Sequence, residues 1–318
     1  VISPGAVISS VLPVYLLMLA GGLLRRGGVL KKDGDEAVMR LVFQVMLPCY
    51  ILDKLLGSEV LRSGAVVAWG LGLGFLLVAC GMAVGWLAGT VIGLDRGTGG
   101  RTFALTTGCQ NFGFTAVPVV EILWGGGGAL ALLFVHNIGV EVAIWSIGVM
   151  VMSGERGVPW RKLINGPITA VIIGMSLVAL RLDTYIEGPP RAALSMLGIG
   201  AFPVAIALTG ASMFDLIGSE RPLWKVIVAS SLVRLAIVPA VILAAAKYLP
   251  IAAELKQVLV VQAAMPAAMT PILLAKLYGG RPGIAVQVVL ATTLLSLVTL
   301  PWIIAWGCRW IGLEPMLP

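Results

Sequence analysis

Long apolar runs divide the chain at near-regular intervals. Ten of them lie near 5–24, 38–56, 64–93, 102–124, 128–152, 163–181, 192–214, 223–247, 253–278 and 283–307. A bilayer core takes roughly 20 helical residues at about 1.5 Å each, and these runs match that length. The separators are short and polar, as in Arg25-Arg26-Gly27-Gly28, Asp95-Arg96-Gly97, Ser153-Gly154-Glu155-Arg156 and Gly279-Gly280-Arg281-Pro282. The pattern predicts an all-α polytopic membrane protein with ten transmembrane helices and no separate soluble domain. The first run lacks a basic stretch before it and a small-residue cleavage site after it, so it reads as a span and not a removable signal.

Composition supports this picture. Hydrophobic residues make up 59% of the 318 and charged residues only 12%, where soluble domains carry about one-quarter charged. The net charge of +7 does not point to nucleic acid, because the basic residues sit in short loops, where they act as topology signals. With the N-terminus outside, fourteen basic residues fall on inner loops and helix ends: Arg25, Arg26, Lys31, Lys32, Arg40, Arg96, Arg101, Arg156, Arg161, Lys162, Arg221, Lys225, Lys276 and Arg281. Seven fall outside: Lys54, Arg62, Arg181, Arg191, Lys247, Lys256 and Arg309. Basic loops stay cytoplasmic, so a multi-pass protein of the cytoplasmic (inner) membrane with both termini outside is expected. Cys49, Cys80, Cys109 and Cys308 all lie in apolar runs without ligand spacing, and there is one His. No metal or other cofactor is expected.

Ten spans divide into 1–152 and 153–318. A repeat of five inserts its second copy upside down, so two inverted repeats are predicted. The halves echo each other at spans 4 and 9. Span 4 carries Gly108, Gly113 and Pro118 around Gln110 and Asn111, and span 9 carries Pro266 and Pro271 after Gln262. Proline removes a backbone donor and clashes with the preceding turn, while glycine eases irregular backbone. Backbone freed in hydrocarbon must face protein or a wet cavity. One such proline would read as an ordinary kink. Corresponding interruptions in two halves instead point to a transporter binding site. The second half-helices are expected to begin near 112–116 and 266–267. Their N-terminal ends suit a carboxylate, and the C-terminal ends of the first halves suit a cation. The candidate substrate residues are Thr107, Gln110, Asn111, Phe112, Pro118, Gln262, Met265, Pro266, Thr270 and Pro271.

Two charges fall in mid-span. Glu141 and Arg234 are expected to pair or approach through water, either for ion coupling or to fix helix packing. Asn137 lies four residues before Glu141 and so on the same helix face. With His136 it forms a candidate proton or cation relay. Glu121 either lines an outer vestibule or faces water, and Gln44 is assigned to packing more than to substrate.

These residues resemble the auxin efflux carrier family and its bacterial permeases. The likeness rests on Gly21-Gly22-Leu23-Leu24-Arg25-Arg26, Leu41-Val42-Phe43, Leu47-Pro48, Asn111-Phe112-Gly113-Phe114 up to Pro118, Trp145 and Gly148. It continues through Met265-Pro266-Ala267-Ala268, Ala275-Lys276-Leu277-Tyr278-Gly279, and Thr293-Leu294-Leu295-Ser296 up to Pro301. It runs in order over nearly the whole chain. The resemblance implies a bile acid:sodium symporter-like fold with broken helices 4 and 9 crossing inside a transport domain of helices 3–5 and 8–10. Helices 1, 2, 6 and 7 would form a scaffold through which relatives often dimerise. It implies a secondary active transporter of small organic anions, auxin-like or dicarboxylate, moving them by alternating access in the lipid bilayer. The sodium-coupled relatives use a carboxylate in span 9, where this chain has Gln262, so a proton is favoured over sodium. A cation/proton antiporter of related fold is the alternative. An intramembrane enzyme lacks any nucleophile–base pair, facing acids or metal motif here.

Overall fold

A computed structural model describes residues 4–125, 127–154, 161 and 164–314. Glu155, Arg156 and Lys162, which enter the separators and the charge count above, lie outside these. The described residues are helical and carry no strand beyond one isolated bridge. α1 is Pro4–Arg26. α2 runs through Lys32–Leu41, a π-turn at Val42–Met46, and Leu47–Leu55. α3 is Gly64–Val91. α4 is broken into α4a, Thr98–Gly108, and α4b, Ala116–Trp124. α5 is Gly128–Ser153, α6 is Gly166–Ala179, α7 is Pro189–Leu216 and α8 is Trp224–Tyr248. α9 is broken into α9a, Ala253–Ala264, and α9b, Thr270–Leu277. α10 is Pro282–Ile311.

Among the described residues six stretches are long and apolar enough to cross a membrane: Val7–Arg26 of α1, then α3, α5, α7, α8 and α10. The other four fall short for separate reasons. α2 opens on Lys32, Asp33, Asp35 and Glu36. α6 has 14 residues. α4 and α9 are each interrupted near the middle.

The interruptions follow local chemistry. Pro118 sits in the first turn of α4b and Pro271 in the first turn of α9b, where a missing N–H breaks no helical bond. The second half of α9 therefore starts at Thr270, later than the 266–267 expected from the sequence. Pro266 lies in the non-helical segment before it. Three π-turns, at Val42–Met46, Ile144–Gly148 and Val233–Ile237, have no signature in the apolar pattern. Each lets a side chain depart from the regular helical face, a device common at functional positions.

Glycines set the closest helix approaches. α1 packs along α7, where a methyl on Gly21 would strike the Ala207 carbonyl and one on Gly210 the Met18 carbonyl. α3 packs along α5 through Gly74, against the His136 carbonyl, and Gly139, against that of Leu71. Small residues let backbones meet where apolar lipid provides no hydrophobic drive between helices. The main core gathers near the two breaks, with Val117, Leu130, Leu133, Val258, Val261 and Met265 essentially inaccessible.

Gly210→Val should therefore cost at least about 1–3 kcal/mol, the usual penalty for overpacking. Gly72→Ala in α3 has open space around it and should leave the melting temperature unchanged. Equal melting of the two variants in detergent would contradict the α1–α7 contact.

Candidate functional site

The two breaks meet. Asn111 N donates to Pro266 O at 2.7 Å, and Ala268 N donates to Cys109 O at 2.9 Å. Gln110 and Ala267 face each other between these bonds as an antiparallel bridge. Each break thus satisfies backbone groups that the other leaves free.

Side chains close what remains. Phe112 O accepts from Asn137 Nδ2 at 3.0 Å and from Gln262 Nε2 at 3.3 Å. The same Gln262 nitrogen lies 3.3 Å from Asn137 Oδ1. Asn111 Nδ2 donates to Thr115 Oγ1 at 3.0 Å, and Ala267 N to Thr292 Oγ1 at 3.1 Å. Arg234, fully buried, donates from Nε to Met265 O at 3.0 Å and from Nη2 to Gln262 O at 3.3 Å. It lies in the Val233–Ile237 π-turn.

Beside the crossing is a cavity of about 360 Å³. One wall is the crossing itself: Asn111 to Phe114 of the first break, Ala268 to Thr270 of the second, and Asn137 and Glu141 of α5. The facing wall comes from α2, α6 and α7, with Phe43, Leu47, Ile51, Ile168 and Phe202. The cavity extends along the helices to Asp35, Met39 and Ser212. Aromatic and aliphatic side chains dominate the lining. Its polar groups are amides, hydroxyls and the two acids Asp35 and Glu141, and no Lys or Arg among the described residues lines it.

The sequence-derived candidates separate into two groups. Asn111, Phe112 and Thr270 line the cavity, as do Asn137 and Glu141. Thr107, Gln110, Gln262, Met265, Pro266 and Pro271 are buried in the crossing, and Pro118 is half-buried in α4b. The Thr107 hydroxyl is bound to Phe103 O of its own helix at 2.7 Å. His136 is fully buried between α3 and α5 and does not line the cavity. Gln44 is exposed on α2, away from the crossing.

The expected Glu141–Arg234 pair is not formed. Among the described residues Glu141 accepts from Trp145 Nε1 at 2.7 Å, and Arg234 is taken up by backbone carbonyls. The π-turn at Ile144–Gly148 carries Trp145. Glu121 does not line the cavity and is part-exposed, held by two side chains. It accepts from Tyr50 Oη at 2.5 Å and pairs with Lys54 at 2.8 Å, both on α2. The Tyr50 ring packs edge-on against Phe202 and Phe134. This cluster and the α2–α7 wall were missed from sequence. In helices apolar on every face, periodicity does not separate a cavity wall from a lipid face.

The sequence profile of the family described as membrane transport protein matches residues 6–158 and again 155–304. A protein of Methanothermobacter thermautotrophicus (strain ATCC 29096 / DSM 1053 / JCM 10044 / NBRC 100330 / Delta H), named as an uncharacterized transporter, is 27% identical over 305 residues. That alignment covers 92% of this chain and 95% of the relative. The two matches take in nearly the whole chain, both broken helices included. The chain belongs to the membrane transport protein family, that of the auxin efflux carriers, and is a multi-pass membrane transporter and not an enzyme.

Proposed function

We propose that this chain is a secondary active transporter of a small organic anion, working by alternating access across the cytoplasmic membrane. The anion is auxin-like: one carboxylate on an aromatic body. The observation that carries this reading is the cavity, lined by five phenylalanines and by aliphatic side chains, with free amide donors at its crossing end. Asn111 and Asn137 each spend one amide hydrogen within the protein, and each NH₂ has a second. Burying roughly 150 Å² of an aromatic ligand contributes about 4 kcal/mol. A dicarboxylate fits less well, since its second charge would meet Glu141 at the crossing end, while Asp35 at the other end already takes up Arg25.

The reading includes ten spans as two inverted five-helix repeats. Helix pairing supports it. α1 on α7 has its counterpart, five helices on, in α6 on α2. In the same way α3 with α5 matches α8 with α10, α3 with α4a matches α8 with α9a, and α5 with α9a matches α10 with α4a. α1, α2, α6 and α7 then form the scaffold, the rest form the transport domain, and the cavity lies between them. With both termini outside, the cavity opens to the cytoplasm. Tyr50 and Lys54 of the scaffold then hold Glu121 of the transport domain on the outer side.

Coupling is assigned to a proton on Glu141, the acid nearest the amides along α5. Protonated, it would stop repelling a bound carboxylate. The same residue favours a second reading, a cation/proton antiporter, because an acid lines a cavity without a base.

Three measurements test these readings. Indole-3-acetate should raise the melting temperature of the purified protein. Asn111→Ala should weaken its binding roughly ten- to hundredfold, as loss of a hydrogen bond to a charged group costs about 1.5–3 kcal/mol. An unchanged shift would show that the site is wrong. In liposomes, Glu141→Gln should abolish uphill accumulation while indole-3-acetate still binds. Undiminished coupled uptake would remove Glu141 from the mechanism, and proton flux driven by cations without any carboxylate shift would favour the antiporter. Lastly, Glu121→Gln should speed labelling of a Val117→Cys reporter by an impermeant maleimide from outside several-fold, and an unchanged rate would show that the Tyr50–Lys54–Glu121 cluster does not close that side.

A further inference from the structure

Arg234 is fully buried, and no carboxylate pairs with it among the described residues. A lone charge there is costly unless something compensates it. What compensates it is backbone. Its two hydrogen bonds, from Nε and Nη2, go to Met265 O and Gln262 O, both at the C-terminal end of α9a, and Nη1 is left without a partner. There the helix runs out of its own donors and carries partial negative charge. In mid-membrane an end of this kind calls for a cation.

The first break is chemically different. Its carbonyls are met by neutral donors: Cys109 O by Ala268 N, and Phe112 O by the amides of Asn137 and Gln262. One break carries a full positive charge and the other none. Gln262 links the two, since its carbonyl receives Arg234 while its side chain reaches Phe112 O and Asn137.

We propose that Arg234 is the resident cation of the crossing: its guanidinium occupies the end of α9a that a bound metal ion would otherwise neutralise, so the crossing assembles without sodium and carries a fixed positive charge beneath a cavity lined by no basic side chain among the described residues. Assembly without sodium rests on these bonds alone. The electrostatic role toward an anion rests on the carrier reading above. Arg234 acts through Gln262 and Met265 and is a positioning residue.

The test is the melting temperature of ligand-free protein in sodium chloride and in choline chloride at equal ionic strength. Wild type should melt at the same temperature in both. Arg234→Lys should keep most of the stability and stay blind to the salt. Arg234→Met, of similar length without charge, should lose roughly 5 °C or more. Arg234→Ala, which leaves a guanidinium-sized space against the two carbonyls, should regain part of its loss in millimolar guanidinium chloride, whereas Arg234→Met should not. A wild type that melts higher in sodium, or an Arg234→Met protein as stable as wild type, overturns the proposal. So does an Arg234→Lys protein no better than Arg234→Met. If Arg234→Ala does not fold, the Lys and Met variants decide. No carboxylate enters these measurements, so their failure is distinct from failure of the Asn111→Ala test. A separate arm reads the electrostatic role: indole-3-acetate binding should survive in Arg234→Lys and weaken at least several-fold in Arg234→Met, and equal binding in the two removes that role.

Discussion

A free backbone N–H or C=O in a hydrocarbon layer has no water to turn to, and each one left alone costs several kcal/mol. Breaking two helices in mid-membrane exposes a set of such groups. In this fold they are brought together, so that Asn111 N meets Pro266 O and Ala268 N meets Cys109 O. The rest of the arrangement depends on those two bonds. They fix where α4b and α9b begin, and they place the first break, with Asn111 and Phe112, and the second, with Ala268 and Thr270, on one wall of one cavity.

Around this pairing the polar side chains divide their work. Gln262, Thr292 and Arg234 point into the crossing and complete its backbone. Asn111, Asn137 and Glu141 stand at its edge and line the cavity. A polar group buried in the crossing can be satisfied and rigid, while one at the cavity edge has hydrogen-bonding capacity left for a ligand. In this way a chain with only 12% charged residues gathers a polar centre at the crossing, where Gln110 Nε2, Gln262 Oε1 and Arg234 Nη1 are left without a partner. The glycine contacts of α1 with α7 and of α3 with α5 bring the helices close enough to hold that centre between them.

Much of this was legible in the sequence because proline, glycine and amides are rare enough in apolar runs to stand out. Pro118, Pro266 and Pro271 marked both breaks, although Pro271 belongs to the first turn of α9b and so the restart falls at Thr270. Other features were not legible. π-turns leave no trace in an apolar pattern, so the aim of Arg234 at two carbonyls, in place of Glu141, was not foreseeable. Phe43 and Phe202 in the cavity wall look like any other apolar residue in a helix surrounded by lipid or protein. The Tyr50–Lys54–Glu121 cluster joins residues about 70 positions apart, and only the tertiary fold brings them together.

In the proposed transporter the crossing of the two breaks forms one wall of the substrate site. A crystal structure of the protein grown with 4-iodophenylacetate tests it most directly, because iodine reports its own position by anomalous scattering. The account predicts an iodine peak among Phe43, Phe112 and Phe202, with the carboxylate directed toward Asn111 and Asn137. An ordered ligand outside this cavity, or one bound with its carboxylate turned away from the crossing, would contradict it.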